Sequence, residues 1–297
     1  MAKLSVIGTG LDGLVGSRFV ELYTDECDIT NLSLATGVDI TNKDQVMEAM
    51  SESTAPVIIH LAAFTDTAAA HADNGNTDGL CYRVNVDGTA AVVDAARATG
   101  KYLIHISTDY VFDGIKDGSY TETDVPKPIE WYGQTKYQAE QIVTKSGIPA
   151  AIIRIAFPYR TSFEAKADLL AKTLNGIRQH TLYPQFTDTL ITPTFIDDIA
   201  HVLNLFVEKR PTGIFHAVGS TSLSNYDFAL AVAEAFHEDP TVIKQGSLTE
   251  FLQTANRPYH RYLALSNNKL ARELEYHMAT LEEGLAAIAV QQHEDQL

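Results

Sequence analysis

Cysteine, positive charge and long apolar runs are all scarce in this 297-residue chain. Only Cys27 and Cys81 occur, with no CxxC and no Cys/His spacing of the metal-site kind, which argues against a disulfide scaffold and leaves two reduced, mostly buried thiols. The ten histidines show no ligand spacing either, and no metal is expected. Lysine and arginine number 22 against 38 acidic residues, a formal charge of −16 and a pI near 4.9. Such a surface repels a phosphate backbone, so nucleic acid is not an expected partner, although local donors can still hold a small anion. No stretch reaches the roughly 18 apolar residues of a membrane span. Internal repeats and low-complexity linkers are absent, and the opening Met1-Ala2-Lys3-Leu4 carries no apolar signal segment, which favours the cytoplasm.

What is present is an ordinary globular composition, 45 % hydrophobic and 20 % charged, long enough for one large domain or two unequal ones. Apolar β-rich runs alternate with helical patterns through the first half. Leu4 to Ile7, Val57 to Leu61, Tyr102 to Ile106 and Ala151 to Ile155 read as buried parallel strands. Helices are expected from about Leu14, from about Asn85 to Ala98, and around Tyr132, with Gly100 and Gly147 at helix C-termini. The second half turns mostly helical, about 162–178, 196–209 and 224–237, with one further strand over 213–218 returning to the main sheet. The expected fold is α/β: a Rossmann-type, doubly wound parallel sheet over 1–156 and 189–219, with a smaller helical, substrate-binding lobe over 157–188 and 220–297. The last residues, 291–297, are polar enough to fray.

"VIGTGLDGLVGSRFV" sets Gly8, Gly10, Gly13 and Gly16 between the first strand and the first helix. A dinucleotide pyrophosphate needs a tight turn, a close backbone approach and helix N-terminal donors, and glycines here make room for all three. Asp12 is discordant beside phosphates unless it points away. The acidic residue that would hold an NAD ribose is not evident in Asp28-Ile29-Thr30-Asn31-Leu32-Ser33, and no arginine follows to mark NADP. Asn31 and Ser33 suit either cofactor, so weak discrimination between them is expected.

"EWYGQTKYQAE" contains Tyr132 and Lys136 four positions apart, on one helix face. With 13 tyrosines and 12 lysines, chance gives such a pair in roughly every second chain of this composition, so the pair alone is weak. Four segments together, however, resemble the extended short-chain dehydrogenase/reductases, and within them the dTDP-4-dehydrorhamnose reductase group. Thr9-Gly10-Leu11-Asp12-Gly13-Leu14-Val15-Gly16 matches TGxxGxxG, "VDIT" is similar to the adenine-contacting segment, and "HLAAFTDTAAA" resembles the strand-four region. "ISTDYVFDG" is the most specific match, and Tyr132 to Lys136 falls where the family's YxxxK belongs. Weaker echoes are "TPTFIDDIA" and "RPYHRYLALSNNKL". Leu14 stands where the group has glutamine, and Phe157-Pro158-Tyr159-Arg160 where it has tryptophan-x-tyrosine-glycine, beside the substrate pocket.

The resemblance implies NADPH or NADH as cofactor, contacted by Gly8, Gly10, Leu11, Asp12, Gly13, Leu14, Asn31, Asp39, Ile40, Leu61, Ala62, Ala63, Tyr132, Lys136 and Phe157. It implies a nucleotide-sugar substrate touching Thr65, Thr108 and Arg257, and it is compatible with a homodimer. In this reading Tyr132 transfers the proton, Lys136 lowers the phenol's pKa and holds the nicotinamide ribose, and Thr108 bonds the substrate carbonyl. The expected activity is reduction of a nucleotide-linked 4-keto-6-deoxy sugar. Two alternatives remain: an NDP-sugar epimerase or dehydratase, and a non-catalytic regulatory subunit similar to the β subunit of methionine adenosyltransferase. Asn85 fits a family position or a helix cap equally well. Asp197 and Asp198 read as capping and charging a helix N-terminus rather than as catalytic groups, and His60, His105 and His216 as structural residues.

Overall fold

A computed structural model describes residues 3–163 and 165–294. The chain forms two compact units. The first comprises the residues up to Phe112 with Val125–Arg154 and Ile199–Phe215; the second comprises Asp113–Asp124, Ile155–Asp198 and the residues from His216 onward.

The first unit is built on a six-stranded sheet of β1 Leu4–Thr9, β2 Cys27–Leu32, β3 Val57–His60, β4 Tyr102–Thr108, β5 Ala150–Ile155 and β6 Gly213–His216, in the order β2-β1-β3-β4-β5-β6. The pairs β1/β2, β1/β3 and β3/β4 are parallel. Strands β3 and β4 are buried along their whole length, which explains their unbroken apolar runs. Helices α1 Leu14–Tyr23, α2 Lys43–Glu52, α3 Gly88–Thr99 and α4 Trp131–Lys145 connect them. A core of Ile7, Ile40, Val46, Met50, Ile58, Val92, Leu103 and Ile152 packs α2 and α3 on the sheet. Gly100 and Gly147 take φ of 66° and 72° at the ends of α3 and α4, a backbone that glycine adopts without a Cβ penalty.

Chain order reverses between β1 and β3: the chain leaves β1 for β2 on one side and returns to β3 on the other. In open parallel sheets such a switch point is where ligands bind, at the strands' carboxyl ends. The HLAA segment follows the third strand of this chain, not a fourth as the sequence suggests, because β2 leads through the loop bearing Val38 to α2 with no intervening strand.

One charged pair lies inside the first unit. Arg154 on β5 and Glu140 on α4 form a bidentate ion pair at 2.8 and 2.7 Å, with side chains 1 % and 3 % exposed, and the guanidinium also covers the Phe112 ring at 5.0 Å.

The second unit contains α5 Leu169–Arg178, α6 Ile196–Lys209 in its first turn, α7 Asn225–Ala235 and α8 Leu281–Glu294. Its core joins Tyr159, Leu170, Leu174, Phe195, Phe228, Val232 and Leu285. Helix α5 starts at Leu169 rather than near 162 because Asp168 caps it, accepting from the Ala171 amide at 2.9 Å. Helix α8 continues through Gln291, whose amide donates to Asp197 at 2.8 Å, where composition suggests fraying; 295–297 lie outside the described residues. No helix among the described residues is long and apolar enough to cross a membrane. Both cysteines are buried free thiols.

Candidate active site

The glycine loop follows from local geometry. Gly10 has φ +71°, and a Cβ there would collide with the Ala62 backbone nitrogen, so the loops after β1 and β3 approach too closely for any side chain. Gly16 is equally closed, by the Leu11 backbone. Gly13 differs: it is exposed, and a Cβ built on it meets only the Gly10 carbonyl, at 3.2 Å. It begins α1 without a side-chain cap, leaving the first-turn amides to other partners. This open cradle at an uncapped helix start fits a dinucleotide pyrophosphate. Leu14 is half-buried in the first turn of α1. Leu11 is 2 % exposed and packs against Gly8, so its side chain belongs to the core rather than to a ligand.

Asp12 points to β2, where its carboxylate accepts from the Asn31 side-chain amide at 2.7 Å. The discord noted in the sequence is thereby relieved. Asn31 Oδ1 and Ser33 Oγ are buried and make no hydrogen bond among the described residues. Asp39 closes its own turn, accepting from the Thr41 amide and hydroxyl at 2.9 Å each, while Ile40 is a core residue and only its backbone is left for a ligand.

A hydrogen-bond relay holds the β3 loop. The Leu61 amide donates to the Thr9 carbonyl at 3.0 Å and the Ala62 amide to Thr9 Oγ1 at 3.4 Å. Thr9 Oγ1 lies 2.7 Å from His60 Nδ1, and His60 Nε2 lies 3.1 Å from Thr89 Oγ1, which donates to the Asn85 carbonyl at 2.7 Å. With the Thr89 proton committed, His60 carries its own on Nε2. Burial, followed by the Lys136 charge, lowers the His60 pKa to about 3. Both His60 and His105, whose rings are 5.3 Å apart, therefore stay neutral.

Asn85 is no cap. It sits in a π-helical turn, Arg83–Asp87, between Leu80–Tyr82 and α3, so the helix expected from Asn85 begins earlier. Its side chain accepts from the Phe64 amide at 2.8 Å and donates to the Phe64 carbonyl at 3.2 Å and to Thr135 Oγ1 at 3.0 Å. It thus ties the segment Leu61, Ala62, Ala63 and the exposed Thr65 to α4.

Thr108, Tyr132 and Lys136 come together at the end of β4. Gly133 makes this possible, since a Cβ there would collide with the Tyr110 carbonyl of the turn that follows Thr108. The Thr108 hydroxyl donates to Asp109 Oδ1 at 2.8 Å and accepts from the Tyr110 amide at 3.3 Å. Burial raises the Tyr132 phenol well above its ordinary range; a hydrogen bond with Thr108 pulls it back, and Asp109 and Glu130 raise it further. The sequence expectation that Lys136 tunes this phenol downward changes here. The Lys136 ammonium donates instead to the Ile106 carbonyl at 2.6 Å, and burial, opposed chiefly by Glu140, brings its pKa to about 8.

Asp109 is the residue that sequence reasoning missed, although it stands inside the quoted STDYVFDG segment. It is 2 % exposed, its Oδ2 has no partner among the described residues, and burial raises its pKa to about 7 against the pull of Thr108. The Asp12–Asn31 bond, across 19 residues, has no sequence signal at all.

Phe157 and Arg257 belong to the second unit. Phe157 has φ +42°, a strained backbone for an aromatic residue, and its carbonyl accepts from Thr194 at 3.1 Å. Arg257 donates to the Tyr259 hydroxyl at 3.0 Å, with its guanidinium 4.5 Å from that ring centre. Asp197 and Asp198 lie in the first turn of α6, as the sequence leads one to expect, and Asp198 accepts from the Tyr276 hydroxyl and the Ala279 amide at 2.6 Å each. His216 has the structural role expected, with its Nδ1 3.2 Å from the Ser266 carbonyl.

Comparison with known proteins agrees with this geometry. The chain matches the family described as RmlD substrate binding domain over residues 4–293. The dTDP-4-dehydrorhamnose reductase of Aggregatibacter actinomycetemcomitans is 30 % identical over 278 residues, 90 % of this chain and 92 % of that protein. The crystal structure of dTDP-4-dehydrorhamnose reductase from Bacillus anthracis str. Ames in complex with NADP is similar with a TM-score of 0.88 at 27 % identity, covering 98 % of this chain and 100 % of that one. Methionine adenosyltransferase 2 subunit beta of Bos taurus is 30 % identical over 210 residues, 67 % of this chain and 60 % of that protein. A single family thus accounts for almost the full length, and the chain belongs to the RmlD substrate-binding-domain family of extended short-chain dehydrogenase/reductases.

Proposed function

We propose that this chain is an NAD(P)H-dependent reductase of a nucleotide-linked 4-keto-6-deoxy sugar, of the dTDP-4-dehydrorhamnose reductase kind. The observation that carries this reading is the convergence of the Thr108 hydroxyl, the Tyr132 phenol and the Lys136 ammonium beside the switch-point glycine loop. A dinucleotide held at this loop would supply the hydride for the carbonyl carbon of the sugar. Tyr132, kept protonated at neutral pH by burial, gives its proton to the carbonyl oxygen as that oxygen gains charge. Thr108 orients the same oxygen by a hydrogen bond, which requires its hydroxyl to turn from Asp109. Lys136, fixed by the Ile106 carbonyl, holds the nicotinamide ribose and offsets charge near the phenol. Gly10, Gly13 and the first turn of α1 hold the pyrophosphate, and Thr65 contacts the sugar.

The likeness to the methionine adenosyltransferase subunit favours a second reading, a non-catalytic dinucleotide-binding subunit. Net oxidation separates the two. Purified protein should be mixed with dTDP-4-keto-6-deoxyhexose and NADPH or NADH, with nicotinamide absorbance followed and the product identified. Stoichiometric oxidation with reduction at C4 is expected; dinucleotide binding without turnover of any nucleotide sugar would overturn the reductase reading. An epimerase or dehydratase would convert sugar with no net oxidation.

A further inference from the structure

No acid stands at the end of β2, but the glycine loop brings the Asp12 carboxylate there. In dinucleotide-binding folds the residue at this strand end decides between a ribose 2′-hydroxyl, which donates to a carboxylate, and a 2′-phosphate, which needs a cation. Here Asn31, the penultimate residue of β2, is level with Gly8 in the sheet register, and its amide donates to the Asp12 carboxylate at 2.7 Å. Two groups at this place are acceptors, the Asp12 carboxylate and the buried Asn31 Oδ1, which makes no hydrogen bond among the described residues; the Ser33 hydroxyl beside them can accept or donate. No lysine or arginine occurs in 4–17 or in 25–42, whereas Asp25, Glu26, Asp28 and Asp39 do. Arg18, the next base along the loop and helix, lies 3.0 Å from Glu21 in an ion pair. A carboxylate with no cation in these two stretches favours a diol and disfavours a dianion.

We infer that Asp12, held against Asn31, makes this chain prefer NADH to NADPH. The inference rests on the proposed dinucleotide site and sharpens it: Asn31 read alone is neutral towards both cofactors, but Asn31 bearing a carboxylate is not. The preference is a property of this loop rather than of the family, since the Bacillus anthracis relative was crystallised with NADP. A carboxylate a few ångströms from a 2′-phosphate at the protein surface weakens binding by about 10- to 100-fold.

The test is equilibrium binding, independent of turnover. Dissociation constants of NADH and NADPH are measured by calorimetry on the full-length wild type, on Asp12→Asn, which keeps an acceptor for the Asn31 amide but removes the charge, and on Asp12→Ala. The wild type is expected to bind NADH at least about tenfold more tightly. In both variants NADPH affinity should rise until the two cofactors differ by less than about threefold, with folding unchanged by circular dichroism. Equal affinities in the wild type, tighter NADPH, or a preference that survives both substitutions would overturn the inference while leaving the dinucleotide site intact. Failure of the wild type to bind either cofactor would instead remove the proposed function, and this inference with it.

Discussion

The Lys136 ammonium donates to the carbonyl of Ile106, two residues before Thr108 on the same strand, at 2.6 Å. The cation is therefore fixed to the sheet rather than to the tyrosine one helical turn away. Its pKa of about 8 has a consequence for binding. As pH rises through 8 the ammonium loses its proton, and NADH affinity should fall by roughly tenfold between pH 7 and pH 9.5. Lys136→Met should bind weakly at both pH values and show no such slope. Fluorescence titrations across that range would decide it, and a flat wild-type profile would remove Lys136 from the binding site.

Tyr132→Phe should slow turnover by about 10²- to 10⁴-fold, the range for a lost general acid. The phenol faces the Thr108 side chain, so melting temperature and dinucleotide affinity should stay close to wild type. Retention of full activity in Tyr132→Phe would exclude it as the proton donor.

Two loop glycines should separate folding from binding. Gly10→Ala forces a side chain onto φ +71° and into the Ala62 backbone, and should cost more than about 2 kcal/mol of stability. A Cβ on Gly13 meets only the Gly10 carbonyl, at 3.2 Å, so the fold should tolerate Gly13→Val while dinucleotide affinity drops by at least about tenfold. Chemical denaturation and binding isotherms for both variants test the contrast, and undiminished affinity in folded Gly13→Val would refute the cradle.

Asp109 gives a pH signature of its own. Its pKa rises from 3.8 to about 7 on folding, so between those values the folded chain keeps a proton that the unfolded chain releases. Its contribution to stability is full below about pH 4 and is lost as pH climbs to about 7. Asp109→Asn still offers an acceptor to Thr108 but cannot ionise. Relative to wild type it should gain on the order of 2–4 kcal/mol between pH 5 and pH 8. Urea unfolding at the two pH values measures the gain, and an equal difference at both would contradict the burial argument.

The ion pair of Glu140 and Arg154 predicts a double-mutant result. Arg154→Met leaves the buried Glu140 carboxylate without its bidentate partner and should cost about 3–5 kcal/mol, whereas Arg154→Met combined with Glu140→Leu should recover most of it. Because Glu140 is the chief group holding the Lys136 pKa up, the double variant should also show its alkaline loss of NADH binding at lower pH. Additive losses on denaturation would mean the pair is not coupled.

The parallel strands were legible because burial on both faces writes an unbroken apolar run, and the glycine loop because close backbone approach admits no other residue. Thr108, Tyr132 and Lys136 were legible through spacing and motif together. What escaped has a common cause. Asp12 and Asn31, or Asn85 and Phe64, are far apart in sequence and meet only when strands are laid side by side, and the pKa of Asp109 depends on burial that no local pattern records. The start of α5 was misjudged because residues from 162 have helical character, while the cap that sets the boundary is the single Asp168. Arg154 did leave a trace, a charge inside an apolar strand, but not the identity of its partner.

The relay through His60 has a direction. It starts at a peptide amide, Ala62, which can only give a proton, and ends at a peptide carbonyl, Asn85, which can only take one, so every hydroxyl and imidazole between them is oriented by its two ends. No member can be turned around alone without setting two donors or two acceptors face to face. The imidazole is thereby stripped of what usually recommends histidine: it cannot exchange tautomers, and a second proton would have to displace the Thr9 hydroxyl from Nδ1. His60 works as a rigid spacer with one donating and one accepting edge, an arrangement of shape and polarity rather than of acid–base chemistry. A histidine a strand away from the tyrosine proposed as proton donor is in this way kept from competing for the proton.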